Sequence, residues 1–383
     1  MRAMILAAGY GTRLWPLTID RTKPAIPFLG RPLVGYVAEY LSRNDCREVV
    51  VNLHHRPDSV RAALGDGSRF GVHLEYVEEP KILGTSGALD NARHLLEGET
   101  FIVVNGKIVT NIDLTAALAT HRRTGALATL VLRPNPARER FSIVETLDGL
   151  IRNFGGMPAQ ASDNAGRKPA ASFDNHVEGA TIENNDKGSA IEDENNAALK
   201  NKDDALLMDA PLVNAPLKNV SLKNVPLMFT GIHILEPRIF DFIPSGVASD
   251  FVPHVYQPAI AKGERIAAHI SDEMWYELST IPRYLDISLA LMKSEGRDVL
   301  TGTACTISVD ADVRDSILWD HVSLEAGARV RRAIIGEGVS LGAGEVIENA
   351  AVVRADLVLG SEPPPKALKG FVRGANFVVP LPQ

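Results

Sequence analysis

The chain has 383 residues, room for two domains and a substantial core, and at 45% hydrophobic it has an ordinary globular composition. A mean hydropathy close to zero and the lack of any long apolar run argue against a membrane span, and a formal net charge of −7 argues against a nucleic-acid partner, which calls for a basic face. The two cysteines, Cys46 and Cys305, are too few for a disulfide framework and lack metal-ligand spacing; with no signal-peptide pattern ahead of the first apolar run, a reducing cytoplasm is the expected compartment.

The first 135 residues alternate strand and helix signals. Short β-branched runs at 3–8, 48–53, 101–104 and 127–132 read as buried parallel strands. Helix-like stretches fall between them at 33–44, 57–64, 84–96 and 113–125, the first opened by Pro32 and the last capped by Asp113. This alternation implies an α/β fold with a doubly wound, mostly parallel, Rossmann-like sheet that takes its ligands at the carboxyl ends of the strands.

From 157 to 225 the composition turns to Asn, Asp, Ala and Lys, and a loose five-residue unit runs in tandem from Ala205 to Asn224 as ALLMD, APLVN, APLKN and VSLKN. The period loosely resembles pentapeptide-repeat coils, but so few units bury little, and a low-complexity insertion, disordered or irregular, is expected. Regular patterning resumes with a strand at 226–235 and helices at 251–262 and 280–295. Beyond Thr303 apolar residues recur every six positions: Ile307, Val313 and Trp319, then Ile335, Leu341, Ile347, Val353 and Leu359. A hexad puts one apolar residue on each face of a coil and predicts a short left-handed parallel β-helix. The two series are out of phase, so a loop is expected between them. The predicted division is an α/β domain at 1–156 and 226–300, the insertion at 157–225, the hexapeptide coils at 301–360 and an extended tail at 361–383.

Gly9-Tyr10-Gly11-Thr12-Arg13 follows the first strand directly. Glycines there let the backbone approach a phosphate, whose oxygens successive N–H groups can cradle. G-x-G after a strand also occurs in dinucleotide-binding folds, but those want a third glycine opening a helix, and here Leu14 follows with no helix expected before residue 33. Arg13 and Lys23 add two cations of the kind phosphoryl chemistry uses for positioning and charge neutralisation.

The string LAAGYGTRLWPLTIDRTKPA, Leu6 to Ala25, is similar to the G-x-G-T-R-L-x-P-L-T-x-x-x-P-K-P signature of the enzymes that join a nucleoside triphosphate to a sugar 1-phosphate. Thr22 replaces the proline ahead of the lysine. The resemblance to these sugar-1-phosphate nucleotidyltransferases covers 1–156 and 226–360. It implies that Arg13 and Lys23 hold the triphosphate and stabilise charge during attack on the α-phosphorus, with Leu6, Ala8, Gly9, Gly11 and Thr12 along the nucleotide. EPKILGTSG, Glu79 to Gly87, looks like the family's base loop and implies nucleotide contacts from Glu79, Gly84 and Thr85. Its form resembles mannose-1-phosphate guanylyltransferases most, so GTP and mannose 1-phosphate are the expected substrates. Thr85 and Ser86 would otherwise serve as helix caps.

FIVVNGKIVTNIDL aligns with a strand-end V-x-N-G-D motif and adds Asn105 and Gly106 to the nucleotide side, but Lys107 stands where relatives have an aspartate that ligates Mg²⁺. WYELSTIPRYL resembles W-x-D-I-G-T-P-x-x-Y-L, with Glu277 as the other metal carboxylate. Gly155-Gly156-Met157 occupies the place of a sugar-phosphate E-K-P motif, and Ser142 that of a glycine after Phe141. An ammonium cannot ligate magnesium. Either Lys107 pairs with Glu277 and offers the phosphates one positive charge, or Mg²⁺ is captured through Glu277 and the triphosphate. The alternative function is a catalytically inactive, nucleotide-sugar-binding regulatory or scaffolding subunit, assembling as a homo- or hetero-oligomer through the β-helix. Hexapeptide coils also build acyltransferases, which need a basic histidine; His321 is the one histidine there. His54 and His55, adjacent in an extended chain, point to opposite faces and make a poor metal pair.

Overall fold

The computed structural model describes residues 1–137, 139, 141–155 and 225–382, so the predicted insertion lies outside the described residues except at Val225. Up to residue 155 the chain forms β1 (Arg2–Leu6), α1 (Leu33–Arg43), β2 (Glu48–Leu53), α2 (Pro57–Leu64), β3 (His73–Glu78), α3 (Gly84–Asn91), β4 (Phe101–Asn105), β5 (Ile108–Thr110), α4 (Leu114–Thr124), β6 (Ala128–Pro134), β7 (Ile143–Leu147) and β8 (Leu150–Phe154). After residue 225 come β9 (Leu227–Leu235), α5 (Gln257–Ala261), β10 (Ile266–Ile270), β11 (Trp275–Glu277) and α6 (Ile281–Ser294).

Nine strands make one sheet in the order β3-β2-β1-β4-β9-β6-β10-β8-β7. β1 runs parallel to β2 and β4, and β2 to β3, as the strand–helix alternation requires. Successive side chains of β1 go to opposite faces: Ala3 and Ile5 pack with Val34 and Val37 of α1, and Met4 with Ala88 and Leu89 of α3. The sheet is more mixed than expected. β9 lies antiparallel between β4 and β6, and the β7–β8 hairpin forms the far edge. The β4–β9 pairing joins residues 128 to 134 positions apart, which no local pattern announces. β3 alternates charged and apolar residues as edge strands do, and its charges hid it from a search for apolar runs.

Other differences are local. The 84–96 helix breaks at Ala92 into two pieces. The 251–262 helix begins as a π-turn at Val252–Tyr256, where Pro258 cannot donate a backbone hydrogen bond. Asp113 does cap α4, accepting from the N–H groups of Thr115 and Ala116.

In the C-terminal part, strands Val299–Thr301, Ser316–Leu318, Arg329–Ile335 and Val346–Arg354 stack in parallel. Paired residues differ by 17 each time: Leu300 with Ile317, Ile317 with Ile334, Ile334 with Ala351. The same offset links Ile307 to Leu324 and Leu324 to Leu341. The repeat is thus one residue short of three hexads. Ile307 and Leu341 stand in one column, and the phase slip comes from the 17-residue offset, not from the loop expected between the series. Residues 371–380 also depart from the expected extended tail. Phe371–Arg373 and Asn376–Pro380 form a hairpin whose second strand pairs with Val346–Arg354, burying Phe377 and Val379. This part shares one core with the N-terminal signature: Ile317, Trp319, Ile334 and Phe377 pack with Leu14, Trp15, Phe28 and Tyr284.

Candidate active site

Leu6, the last residue of β1, lies in register with Asn52 on one side and Asn105 on the other. The carboxyl ends of three parallel strands therefore meet at one point, where strand order reverses and α/β sheets bind ligands. From there the chain enters a loop. Ala7 donates its N–H to Asn52 Oδ1 at 2.8 Å. The next six N–H groups, Ala8 to Arg13, have no acceptor among the described residues. Successive free N–H groups of this kind form an anion cradle. Gly11 is left-handed (φ 67°), and a Cβ on it would sit 2.9 Å from that of Lys23. Glycine is what allows the loop to lie directly on Lys23.

Lys23 opens the short turn Lys23–Ala25 and is only 8% exposed. Burial first, and then the neighbouring charge of Lys107, push its ammonium down to about 7, against the pull of Glu277. Arg13 lies exposed at the loop's end and acts on the same group.

The base-side loop is built differently. Glu79 is buried, and both its carboxylate oxygens are engaged: Oε1 accepts from Asn52 Nδ2 at 2.6 Å and Oε2 from the Leu83 N–H at 2.9 Å. Burial nonetheless pushes its carboxyl above the ordinary range. Gly84 has φ +72°, and a Cβ there would come within 2.5 Å of the Ser249 carbonyl. The Thr85 N–H and hydroxyl both donate to Asp250 Oδ1 at 2.9 Å, and the N–H groups of Ser86 and Gly87 donate to the Ser249 carbonyl at 3.0 and 3.1 Å. Thr85 and Ser86 are thus held by Ser249 and Asp250; neither is a helix cap.

At the third corner, β5 pairs antiparallel with β11, setting Ile108 opposite Glu277 and so bringing Lys107 beside it. Lys107 Nζ lies 2.6 Å from Glu277 Oε1; the lysine is about one-third exposed (36%) and the glutamate buried (8%). Burial works to raise the Glu277 carboxyl, but Lys107, Lys23 and Arg13 together hold it at about 2. Magnesium requires hard oxygen donors. One carboxylate is offered here, already ion-paired, and among the described residues no three His, Cys, Asp or Glu side chains are grouped to hold a metal. The residues present do not fit a protein-held Mg²⁺.

The structure therefore gathers Leu6, Ala8, Gly9, Gly11, Thr12, Arg13, Glu79, Gly84, Thr85, Asn105 and Gly106 at the carboxyl edge of β1 to β4, with Lys23, Lys107 and Glu277 beside the first loop. Sequence reasoning missed Asn52, whose amide joins the two loops, and the Ser249–Asp250 clamp. Asn52 is the penultimate residue of β2, and a lone polar residue near the end of an apolar run was the available signal. His54 and His55 do not diverge: both rings lie against Tyr10, at centroid distances of 5.8 and 5.2 Å, and His54 Nδ1 meets the Glu79 carbonyl at 2.8 Å.

Residues 2–294 match the family model described as Nucleotidyl transferase. The chain belongs to the nucleotidyl transferase family, and its similar proteins are sugar-1-phosphate enzymes. It is 25% identical over 337 residues to a UTP–glucose-1-phosphate uridylyltransferase from Synechocystis, covering 85% of this chain and 72% of that one. It is 35% identical over 130 residues to a mannose-1-phosphate guanylyltransferase from Mycobacterium tuberculosis, a match spanning 34% of this chain and 36% of that protein. The fold is also that of HddC from Yersinia pseudotuberculosis, with a TM-score of 0.53 at 16% identity over 76% of this chain and 99% of the other. Among the described residues no helix is long and apolar enough to cross a membrane.

Proposed function

We propose that the chain is a nucleotidyltransferase that joins GTP to mannose 1-phosphate with release of pyrophosphate. The observation that carries this reading is the run of six N–H groups, Ala8 to Arg13, without an acceptor among the described residues, in a loop whose Gly11 lies on Lys23. A triphosphate laid in that cradle meets backbone donors on one side and the cations of Arg13 and Lys23 on the other. An oxygen of the sugar phosphate then forms the new P–O bond at the α-phosphorus as the bond to the departing pyrophosphate breaks. Charge grows on the leaving oxygens, where fixed donors and cations lower the barrier. Glu79 serves as a positioning residue, its carboxylate being taken up by Asn52 and Leu83.

Guanine and mannose are supported by the Leu83–Gly87 sequence and by the guanylyltransferase relative. The 17-residue coils we read as a left-handed parallel β-helix that mediates subunit contacts. Unpaired thiols at Cys46 and Cys305 are in keeping with the cytoplasm.

The test is pyrophosphate release from paired nucleotides and sugar 1-phosphates. GTP with mannose 1-phosphate is expected to exceed UTP with glucose 1-phosphate. The reverse order would move the substrates and keep the reaction. Nucleotide-sugar binding with no release from any pair would leave a regulatory subunit instead.

A further inference from the structure

The residues at the expected metal position offer one ion-paired carboxylate and a cation of their own. We infer that Lys107 is a phosphate-binding ammonium, a fixed positive charge that takes the place of a protein-held divalent ion at this site. This rests on the nucleotidyl transfer proposed above.

Three observations carry it. The first is place. Gly106 donates its N–H to the Leu6 carbonyl at 2.9 Å, so Lys107 leaves the sheet beside the point where the phosphate loop begins. The second is donor capacity. An ammonium has three donors; the ion pair with Glu277 engages one, and the side chain remains about one-third exposed (36%). The third is charge. A carboxylate together with Mg²⁺ carries one net positive charge, and a lysine carries the same. The exchange preserves the local electrostatics while removing the coordination bonds. Glu277 then acts as the counter-ion that lets Lys107, Lys23 and Arg13 sit together when no phosphate is bound. All three cations act on this one buried carboxylate.

Lys107 forms and breaks no bond in the transfer. It hydrogen-bonds phosphate oxygens while the sugar phosphate displaces pyrophosphate, and its proton stays on nitrogen. A point charge cannot bridge two phosphates as a metal does, so turnover is slower than a metal-bound site allows, and the site itself needs no metal.

Calorimetry with inorganic tripolyphosphate and with GTP, in EDTA and in Mg²⁺, tests this on the full chain. Wild type is expected to bind both probes in EDTA. Lys107→Asp is expected to lose binding in EDTA by about tenfold or more, the scale of one charge-assisted hydrogen bond. It should regain it with Mg²⁺ or Mn²⁺, and with no phosphate probe present it should show a bound-Mn²⁺ resonance that wild type lacks. Should that variant fail to fold, the neutral pair Lys107→Met with Glu277→Gln is expected to bind more weakly and to gain nothing from metal. Wild-type binding that requires Mg²⁺, or variants that bind as wild type does in EDTA, would overturn the inference. Tripolyphosphate binding that depends on Lys107 without metal, while no substrate pair releases pyrophosphate, supports the ammonium and removes the transfer reaction.

Discussion

Two loops meet at the carboxyl edge of β1 to β4, and they treat their polar groups in opposite ways. Between Ala8 and Arg13 the backbone N–H groups have no acceptor among the described residues, and the glycine at 11 seats the loop on Lys23. Between Leu83 and Gly87 the N–H groups of Thr85, Ser86 and Gly87 and the Thr85 hydroxyl are already bonded to Ser249 and Asp250. The first loop leaves its donors open, as an anion cradle does. The second has its donors satisfied within the protein. The difference teaches that motif residues in one cleft do different work: some bind, others hold the binders in place.

The largest test of the comparison falls on the open loop. Lys23→Met is expected to lower kcat/KM for pyrophosphate release on the order of 100-fold or more, the scale of removing one preorganised charge-stabilising group. Circular dichroism should show the fold retained, because Lys23 makes no ion pair among the described residues. Its ammonium is held down to about 7, so it is charged below that pH and increasingly neutral above it. Tripolyphosphate affinity should fall as pH rises through about 7, and Lys23→Met should remove that slope. A slope that survives in the variant belongs to another group.

Next in size is Asn52, the residue that ties the two loops together. Asn52→Leu orphans the Ala7 N–H and leaves the buried Glu79 carboxylate with one partner, at a cost of about 1–3 kcal/mol. A lower Tm is expected together with a lower kcat/KM, although Asn52 touches only protein. An unchanged rate at reduced Tm would show that the cradle keeps its shape without this link.

Acid should separate the metal corner from the loops. The Glu277 carboxyl is held at about 2, well below the ordinary 4.5. A carboxyl depressed in the folded state adds stability that is present above about pH 4.5 and is lost as pH falls through about 2. Urea midpoints at pH 6 and pH 3 should therefore diverge more in wild type than in the Lys107→Met, Glu277→Gln pair. Equal divergence would assign the acid sensitivity to other carboxyls.

Much of this was legible in the sequence, and the illegible parts have a common cause. The strands β1, β2, β4 and β6, the loop after β1 and the Lys107 anomaly are local patterns: apolar runs, glycine spacing, one charge where an acid was expected. β9 entering between β4 and β6, Lys107 meeting Glu277 from 170 residues away, and Ser249–Asp250 closing on Gly84–Gly87 are pairings between distant segments. The 17-residue repeat of the C-terminal strands lay between these extremes. Its hexads were visible, but the missing residue per repeat looks like a loop until Leu324 is seen paired with both Ile307 and Leu341.

The smallest expected effect tests the second loop. Thr85→Val removes a hydroxyl that donates to Asp250 Oδ1 at 2.9 Å and accepts from the Phe251 N–H at 3.1 Å. Valine keeps the side-chain shape, and the Thr85 N–H still reaches Asp250. About 1 kcal/mol of stability should be lost, the ordinary worth of one hydrogen bond. GTP affinity should fall no further than that loss of order explains, because the hydroxyl is already engaged within the protein. An affinity that drops well beyond the change in Tm would mean that Thr85 turns from Asp250 to the base on binding. The Leu83–Gly87 loop would then be a second open site, and the contrast between the two loops would belong only to the ligand-free state.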